Sequence, residues 1–344
     1  MGRKTNRVLN ANEEILVKIN EDNKQLMDDF IEYLVTTDHS PKTLKVYKSN
    51  LNIIMCWLCE RAKNKCFVDM TKRDLINMQN YMVRNGLSSS RINNLRSTMS
   101  SLSNYIETIL DDEFPDFRNI IGKIPPPPKN YVREKTVLSD EDVQELLDVL
   151  VDSGRYQVAC FIAMSVYGGS RKAETIQYKR EWFTEENIMN GALYKTPLIR
   201  TKGRGVNGKK LNKYILKNKV DPYLKLWDEK RKELGIECEY LFVTKENGEY
   251  VQAKESTANS FVDTCSKLMD MDIYNHCLRH KYVTYLKEQG IPLDVIADIV
   301  GHDSSETTRL YDDTPKEDSF LKYFSEDGIV KQENKNLSDL WKEK

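Results

Sequence analysis

The sequence contains four consecutive prolines, Pro125 to Pro128, a little over a third of the way along its 344 residues. Proline has no amide hydrogen and a fixed φ angle, so this run cannot be helical and favours an extended polyproline conformation. A semi-rigid segment of this kind is typical of a connection between domains. We therefore expect two domains, each long enough for its own core, separated by a linker over residues 116–135.

The chain before the linker has the spacing of a helical bundle. Ser40 followed by Pro41 is typical of a helix start, as an N-cap and a first-turn proline. Apolar residues then recur every three or four positions in two stripes. The stripes are Leu44, Tyr47, Leu51, Met55 and Leu58, and Ile92, Leu95, Met99, Leu102, Ile106 and Ile109. They predict a small all-helical domain over residues 21–115, after a polar leader at residues 1–20.

The charge of this helical segment is strongly uneven. The whole chain has a formal net charge of −1, which argues weakly against a nucleic-acid partner. Between residues 40 and 98, however, eleven basic residues stand against three acidic ones. Single charges of this kind are usually solvated, but a cluster fits the phosphate backbone of DNA. The residues expected to contact that backbone are Lys42, Lys45, Lys48, Arg91 and Arg96.

The pattern changes after the linker. Ser139, followed by three acidic residues, predicts a helix start. Residues 193–216 alternate in polarity around three glycines, which predicts a β-hairpin with a glycine-rich turn. Nine basic residues and no acidic residue lie between positions 195 and 219. We expect a mixed domain over residues 136–314, so that the fold is mainly α with a small antiparallel β-sheet, followed by a tail at residues 315–344.

Several classes of protein are disfavoured. No run of about 18 apolar residues indicates a membrane helix, and the polar start of the chain lacks the apolar centre of a signal peptide. We expect a cytoplasmic protein with reduced cysteines. Cys56, Cys59 and Cys66 lack a fourth nearby ligand for a structural zinc site. Cys56 and Cys59 fall in an apolar helical pattern, so we interpret them as core residues and predict no metal and no cofactor.

Three of the four histidines lie between residues 276 and 302, and Arg279 and Tyr311 lie near them in the sequence. His276, Arg279 and His280 are spaced so that they share one helix face. A second helix is predicted to end at Gly301, which would put the next residue, His302, at an exposed helix end.

These residue types suit transfer of a phosphodiester. An arginine fork stabilises the charge that builds on the non-bridging phosphate oxygens. A tyrosine hydroxyl becomes a competent nucleophile when cationic neighbours stabilise its phenolate. A lysine can protonate the oxygen that leaves. Such a site would need no metal ion.

The ordered set of motifs resembles the signature of the tyrosine recombinase/integrase family. The motifs are Arg171-Lys172-Ala173-Glu174, then His276-Cys277-Leu278-Arg279-His280, then Gly301-His302 with Tyr311 nine residues on. Thr201-Lys202-Gly203 is similar to the family's hairpin segment that carries a lysine. The resemblance covers roughly residues 21–325 and implies a helical core-binding domain followed by a mixed α/β catalytic domain.

The resemblance also implies a role for each matching residue. Arg171 and Arg279 would clamp the scissile phosphate, and Lys202 would protonate the leaving 5′ oxygen, with Lys209 and Lys210 as rivals. His276 would assist proton transfer, His302 would hydrogen-bond the phosphate, and Tyr311 would form a 3′-phosphotyrosyl bond. Glu174 and His280 would orient these groups, and Arg200 and Arg204 would contact DNA.

Three functions compete on this evidence. A recombinase that integrates or excises a phage or other mobile element is favoured, with chromosome-dimer resolution of the Xer type close behind it. A type IB topoisomerase would share the cleavage chemistry but mainly relax DNA, and a DNA-binding regulator would need no such residue set. The implied partners are double-stranded DNA, further copies of the chain in a tetramer on DNA, and accessory DNA-bending or directionality proteins. The tail would then dock on a neighbouring copy, with packing on its own domain as the alternative.

Overall fold

The computed structural model describes residues 11–128, 136–201 and 209–301, and the backbone of two short paired strands, Phe324–Ser325 and Gly328–Ile329. Within these ranges the chain forms two compact units. The first comprises residues 11–128, and the second comprises residues 136–201 and 209–301.

The first unit is helical. Its helices are α1 Glu13–Lys18, α2 Glu21–Thr36, α3 Pro41–Arg61, α4 Lys72–Arg84 and α5 Ser89–Ile109, with 3-10 turns at Phe67–Asp69 and Ile121–Lys123. The Ser40 hydroxyl accepts a hydrogen bond from the Thr43 amide and caps α3, as predicted. Most residues of the two apolar stripes lie in the core, in which Leu51 and Leu95 are fully buried, whereas Ile109 at the end of the second stripe is exposed.

The start of the predicted linker is packed against this unit. Ile121 is buried in the helical core, and Phe117, Ile120 and Ile124 pack against it. The Arg96 guanidinium donates to the carbonyls of Ile121 and Ile124, which satisfies backbone groups that a free segment would leave to water. Residues 117–124 therefore extend the first unit, and only the residues after them can separate the two units.

The second unit mixes helices with short strands. The helices are α6 Asp140–Asp152, α7 Tyr156–Val166, α8 Lys172–Thr175, α9 Lys217–Glu233, α10 Glu255–Leu268, α11 Asn275–Glu288 and α12 Leu293–Val300. The strands are β1 Ile188–Met189, β2 Leu193–Lys195, β3 Ile199–Arg200, β4 Lys210–Leu211, β5 Tyr214–Leu216, β6 Val243–Glu246 and β7 Glu249–Gln252. Strand β7, which pairs antiparallel with β6, was not predicted from the sequence.

The predicted hairpin is present as antiparallel pairs. Leu193 pairs with Leu216 in β2 and β5, and Ile199 pairs with Leu211 in β3 and β4. The glycine-rich turn that joins β3 to β4 lies outside the described residues. The strands after the turn run back beside those before it, and this brings the residues between β4 and β5 next to Thr196.

Helix α7 lies at the centre of the second unit. Its residues Ala159 to Val166 are all buried, and α6, α9 and α11 pack around it. The amphipathic helix α12 packs on α11 through a smaller cluster that includes Tyr282 and Ile296. The predicted fold class, mainly α with small antiparallel sheets, is confirmed. None of the helices in the described ranges is long and apolar enough to cross a lipid bilayer.

Candidate active site

Arg171 lies at the N-terminal end of the short helix α8. Glu174 holds it twice, because its carboxylate accepts from the Arg171 amide at 3.0 Å and from Arg171 Nη1 at 2.9 Å. The Glu174 side chain is 2 % exposed and the Arg171 side chain is 29 % exposed. A buried carboxylate thus orients a partly exposed guanidinium, the arrangement that a phosphate-binding arginine needs.

Arg279 is buried in the first half of α11. Its Nη1 donates to the carbonyl of Gly169 and its Nη2 donates to the carbonyl of Val300 at 2.8 Å. These two bonds fix the plane of the guanidinium between the turn before α8 and the last residue of α12. Gly169 has φ +59°, and a Cβ there would lie 2.3 Å from the Tyr282 ring, so glycine is required for this close approach.

The helix α11 carries both predicted histidines. His276 is exposed in its first turn, and His280 is half-buried one turn later. Gly290 after this helix has a positive φ, and α12 ends at Gly301 with φ +73°, as predicted. The structure thus brings Arg171, Glu174 and Arg279 together and keeps His276 on the helix that carries Arg279.

Three predicted site residues lie outside the described residues: Lys202, His302 and Tyr311. Arg204 lies outside them as well. Their roles stay predictions. Gly301, the last described residue before His302, has a left-handed backbone at a position where a Cβ would lie 2.5 Å from the Leu211 side chain.

The structure adds a residue that the sequence analysis did not single out. Lys213 lies between β4 and β5, is 1 % exposed, and places its Nζ 2.7 Å from Glu174 Oε2. The sequence analysis counted it among the basic residues of the hairpin. Its spacing of two from the core residue Ile215 was the available signal, because strand residues two apart share one face.

The charges around Glu174 shift the pKa values of both partners. Burial alone would raise the pKa of Glu174, but the adjacent Lys213 and Arg171 outweigh burial and hold it below its ordinary value. Burial lowers the pKa of Lys213, the Glu174 carboxylate opposes that change, and the positive charges of Arg279 and Arg171 add to it. Three cations and one carboxylate therefore share this site.

The predicted DNA-contacting residues are placed differently from one another. Lys42, Lys45 and Lys48 are exposed on α3, and Arg200 is exposed on β3. Arg91 is half-buried and its Nη1 donates to Asn50 and Asn94.

Arg96 does not belong to the exposed basic face. It is buried, and its guanidinium donates to Gln79 Oε1 at 2.8 Å as well as to the carbonyls of Ile121 and Ile124. The helical periodicity that brings a charge near the others does not decide whether its head reaches solvent. The prediction of a DNA contact for Arg96 was wrong, since its charged group binds the protein's own backbone.

The described ranges contain no group of three or more His, Cys, Asp or Glu side chains that could hold a metal ion. Cys56 is buried, Cys59 and Cys66 are half-buried, and all three are free thiols.

Two stretches of the chain match known families. Residues 136–317 match the phage integrase family, and residues 26–116 match the N-terminal SAM-like domain of phage integrases. The chain belongs to the phage integrase family. This family consists of tyrosine recombinases, enzymes that cleave and rejoin DNA through a phosphotyrosine intermediate, so the predicted enzyme class and its DNA partner are confirmed.

Relatives of this phage integrase family member align over most of its length. The SPbeta prophage-derived recombinase-like protein YomM of Bacillus subtilis (strain 168) is 32 % identical over 308 residues, which cover 87 % of this chain and 90 % of the relative. Tyrosine recombinase XerA of Pyrococcus horikoshii is 25 % identical over 293 residues, covering 84 % of this chain and 89 % of that protein.

Solved structures share the fold of this phage integrase family member. XerH site-specific recombinase bound to palindromic difH substrate superposes with a TM-score of 0.62 at 21 % identity, over 81 % of this chain and 78 % of that one. A lambda integrase tetramer bound to a Holliday junction also gives 0.62, at 17 % identity, over 84 % and 77 % of the two chains.

Proposed function

We propose that this chain is a site-specific recombinase that integrates or excises a mobile element. The observation that carries the proposal is the convergence of Arg171, Glu174 and Arg279. The Glu174 carboxylate holds Arg171, and Arg279 donates a hydrogen bond to the carbonyl of Gly169, two residues before Arg171. Two oriented guanidinium groups suit the charge of a phosphoryl transition state. The prophage origin of the relative YomM supports a mobile element as the source.

The proposed reaction is a transesterification that needs no metal ion and no ATP. The Tyr311 hydroxyl gives up its proton, with His276 assisting the transfer, and attacks the scissile phosphorus, so that a 3′-phosphotyrosyl bond forms. The bond from phosphorus to the 5′ oxygen breaks, and Lys202 gives that oxygen a proton. In the reverse step a 5′ hydroxyl of the partner strand attacks the phosphotyrosine. The number of phosphoester bonds is conserved, and this explains why no energy source would be needed.

Other side chains would support this reaction. Arg171 and Arg279 bind the non-bridging oxygens, and His302 hydrogen-bonds the same phosphate. The exposed position of His276 at the start of α11 is compatible with assistance in proton transfer. Glu174 and His280 act through the groups beside them.

We further infer how the chain meets its partners. Residues 21–115 would bind DNA through Lys42, Lys45, Lys48 and Arg91, and residues 136–314 would carry the chemistry with Arg200 and Arg204 on the DNA backbone. Exchange between two duplexes requires four protomers, so a tetramer on DNA is proposed, with residues 315–344 docking on a neighbouring copy. Accessory DNA-bending or directionality proteins would control the direction of the reaction, and the cytoplasm is the expected compartment.

The proposal is tested by trapping the covalent intermediate. Selection from a randomised duplex library with the purified protein supplies a bound DNA site. A version nicked just to the 3′ side of the cleavage point releases the short fragment that carries the new 5′ hydroxyl, so the wild-type protein accumulates as a covalent adduct on a denaturing gel. The Tyr311→Phe variant should bind the site as tightly and form no adduct. An adduct formed by this variant would refute the nucleophile assignment.

Resolution of chromosome dimers is a second candidate, because the relative XerA aligns over nearly as much of the chain. Topoisomerase-like relaxation of DNA is a separate alternative. Two plasmids, each with one selected site, distinguish it from recombination: exchange between the plasmids supports a recombinase, whereas relaxation of supercoils without exchange supports topoisomerase-like activity. Phage or transposon genes and flanking repeats beside the gene would favour a mobile element over chromosome maintenance.

A further inference from the structure

We propose that Lys213 is a positioning residue of the recombination site: it holds Glu174 in place, and through Glu174 it fixes Arg171. The proposal rests on the proposed function above, and it concerns a residue distinct from the predicted proton donor Lys202.

The backbone of Lys213 is held rigidly. Its amide donates to the Thr196 hydroxyl and its carbonyl accepts from the Thr196 amide, both at 2.9 Å. Asn212 adds a bond from its side-chain amide to the Thr196 carbonyl at 2.7 Å. Because these bonds fix the Cα of Lys213, its long side chain can hold its ammonium group in a defined position beside α8.

The Lys213 ammonium contacts the Glu174 carboxylate, which has two further N–H partners. Glu174 Oε2 lies 2.7 Å from Lys213 Nζ and accepts from the Arg171 amide, while Oε1 accepts from Arg171 Nη1. The ammonium and the guanidinium thus bind different oxygens of one carboxylate. Loss of the ammonium would leave a buried carboxylate free to rotate and to draw Arg171 inward, away from a phosphate.

Packing alone gives no reason for a lysine at this position. An ammonium that is 1 % exposed carries a desolvation penalty, and apolar residues of similar volume often replace buried ion pairs without loss of stability. The neighbouring side chain of Ile215 shows that the site lies against the hydrophobic core. The charge of Lys213 is therefore better explained by what it does to Glu174 than by its contribution to folding.

Lys213 also lies close to the end of α12. A Cβ built on Gly301 would be 3.9 Å from Lys213 Nζ, and the next residue in the chain is the predicted phosphate ligand His302. The side chain thus lies near three segments: the hairpin that it belongs to, the start of α8, and the point where the chain leaves α12. A residue in this position can couple the arginine to the part of the sequence that leads to the nucleophile.

The test compares three variants on the nicked DNA site selected with the wild-type protein. Lys213→Met keeps the length of the side chain without its charge, Lys213→Arg keeps the charge, and Lys281→Met is a matched control. Lys281, which lies on α11, is also a buried lysine in an ion pair: its side chain is 6 % exposed and its Nζ lies 2.7 Å from Asp140. Adduct formation under single turnover, DNA affinity and thermal unfolding are measured for each.

We expect Lys213→Met to form the adduct at least about tenfold more slowly, with its DNA Kd within about twofold of wild type. Lys213→Arg should recover part of the rate, and Lys281→Met should lose stability only. A Lys213→Met protein that forms the adduct at the wild-type rate would overturn the proposal.

A double variant separates positioning from folding. The double variant Glu174→Gln/Lys213→Met lacks both charges. Its stability should be closer to wild type than that of Lys213→Met alone, because no buried ion is left without a partner. The adduct should stay slow, because a neutral amide no longer orients Arg171 with a full charge. Recovery of the adduct rate together with stability would mean that the pair acts only in folding, and would refute the proposal.

A substrate with sulfur at the 5′ bridging position distinguishes positioning from proton donation. The thiolate leaves without a proton, so a variant that lacks the general acid is rescued by it. We expect no rescue of Lys213→Met. Rescue would make Lys213 itself the proton donor and overturn the positioning role. Failure of the proposed function would be recognised separately, because the wild-type protein would then form no Tyr311 adduct on any substrate.

Discussion

Arg279 Nη2 donates a hydrogen bond of 2.8 Å to the carbonyl oxygen of Val300, 21 residues further along the chain. Val300 is the last residue of α12, and His302 follows after one glycine. The buried guanidinium also binds the turn before α8 through the carbonyl of Gly169. One side chain therefore ties together the two segments that lead into the predicted phosphate ligands, so its geometry should matter as much as its charge.

The Arg279→Lys substitution should disrupt this pair of hydrogen bonds while the positive charge is kept. A lysine presents a point charge on a flexible stem and cannot span two carbonyls in a fixed plane. We expect the rate of adduct formation to fall by about a hundredfold or more, and the free energy of unfolding to fall by about 1–3 kcal/mol. Single-turnover cleavage and urea unfolding measure the two effects.

Arg231→Lys is the matched control for that substitution. Arg231 is a buried arginine of α9 whose guanidinium also donates to backbone carbonyls, those of Cys238, Tyr240 and Leu241. It should lose similar stability and keep its cleavage rate. Equal cleavage defects in the two variants would attribute the effect of Arg279 to folding alone.

The basic residues of the first unit should differ in what they do to DNA binding. Lys48 is exposed on α3, so Lys48→Ala should weaken binding on all sequences and reduce the slope of log Kd against log salt by about 1. Arg96→Met should leave that slope unchanged and lower the free energy of unfolding by about 1–3 kcal/mol, because three acceptors lose their donor. An unchanged slope for Lys48→Ala would remove it from the interface.

The buried carboxylate of Glu174 should make stability depend on acid pH. Its pKa in the folded protein is held below the ordinary value of 4.5 by Lys213 and Arg171, against the effect of burial. Ionised Glu174 therefore stabilises the fold above about pH 4.5, and this contribution is lost as pH falls through the lowered folded pKa. The difference in unfolding free energy between wild type and Glu174→Gln should shrink between pH 7 and pH 3.5, as urea titrations can measure. A constant difference would contradict the lowered pKa.

The predicted proton donor is tested among the lysines of the hairpin. Lys202→Ala should slow cleavage far more than Lys209→Ala or Lys210→Ala, and a 5′-bridging sulfur should rescue it, because a thiolate leaves without protonation. Lys209, just before β4, and Lys210, its first residue, are both exposed and serve as controls of equal charge. Equal defects at all three positions without rescue would mean that the hairpin only binds the DNA backbone.

Local patterns were sufficient for much of the fold and for part of the candidate site. The Ser40 cap, the apolar stripes, the hairpin and the end of α12 at Gly301 depend on interactions between residues that are close in sequence, or on a strict periodicity. The ordered motifs around Arg171 and Arg279 pointed to the family because they resemble its signature. The partner strand β7 was missed, because four residues of mixed polarity carry no alternation strong enough to indicate a strand.

The sequence by itself determined the helical character of the first unit, the hairpin around the glycine-rich turn, and which reactive residue types the chain carries. Only the tertiary structure decided where the charged heads of long side chains lie. Arg96 and Lys213 were both counted among the basic residues of basic segments, yet Arg96 binds the carbonyls of residues 121 and 124 and Lys213 binds Glu174. A lysine or arginine side chain is long enough to reach water or an internal acceptor from the same Cα, and the choice depends on partners that are tens of residues away.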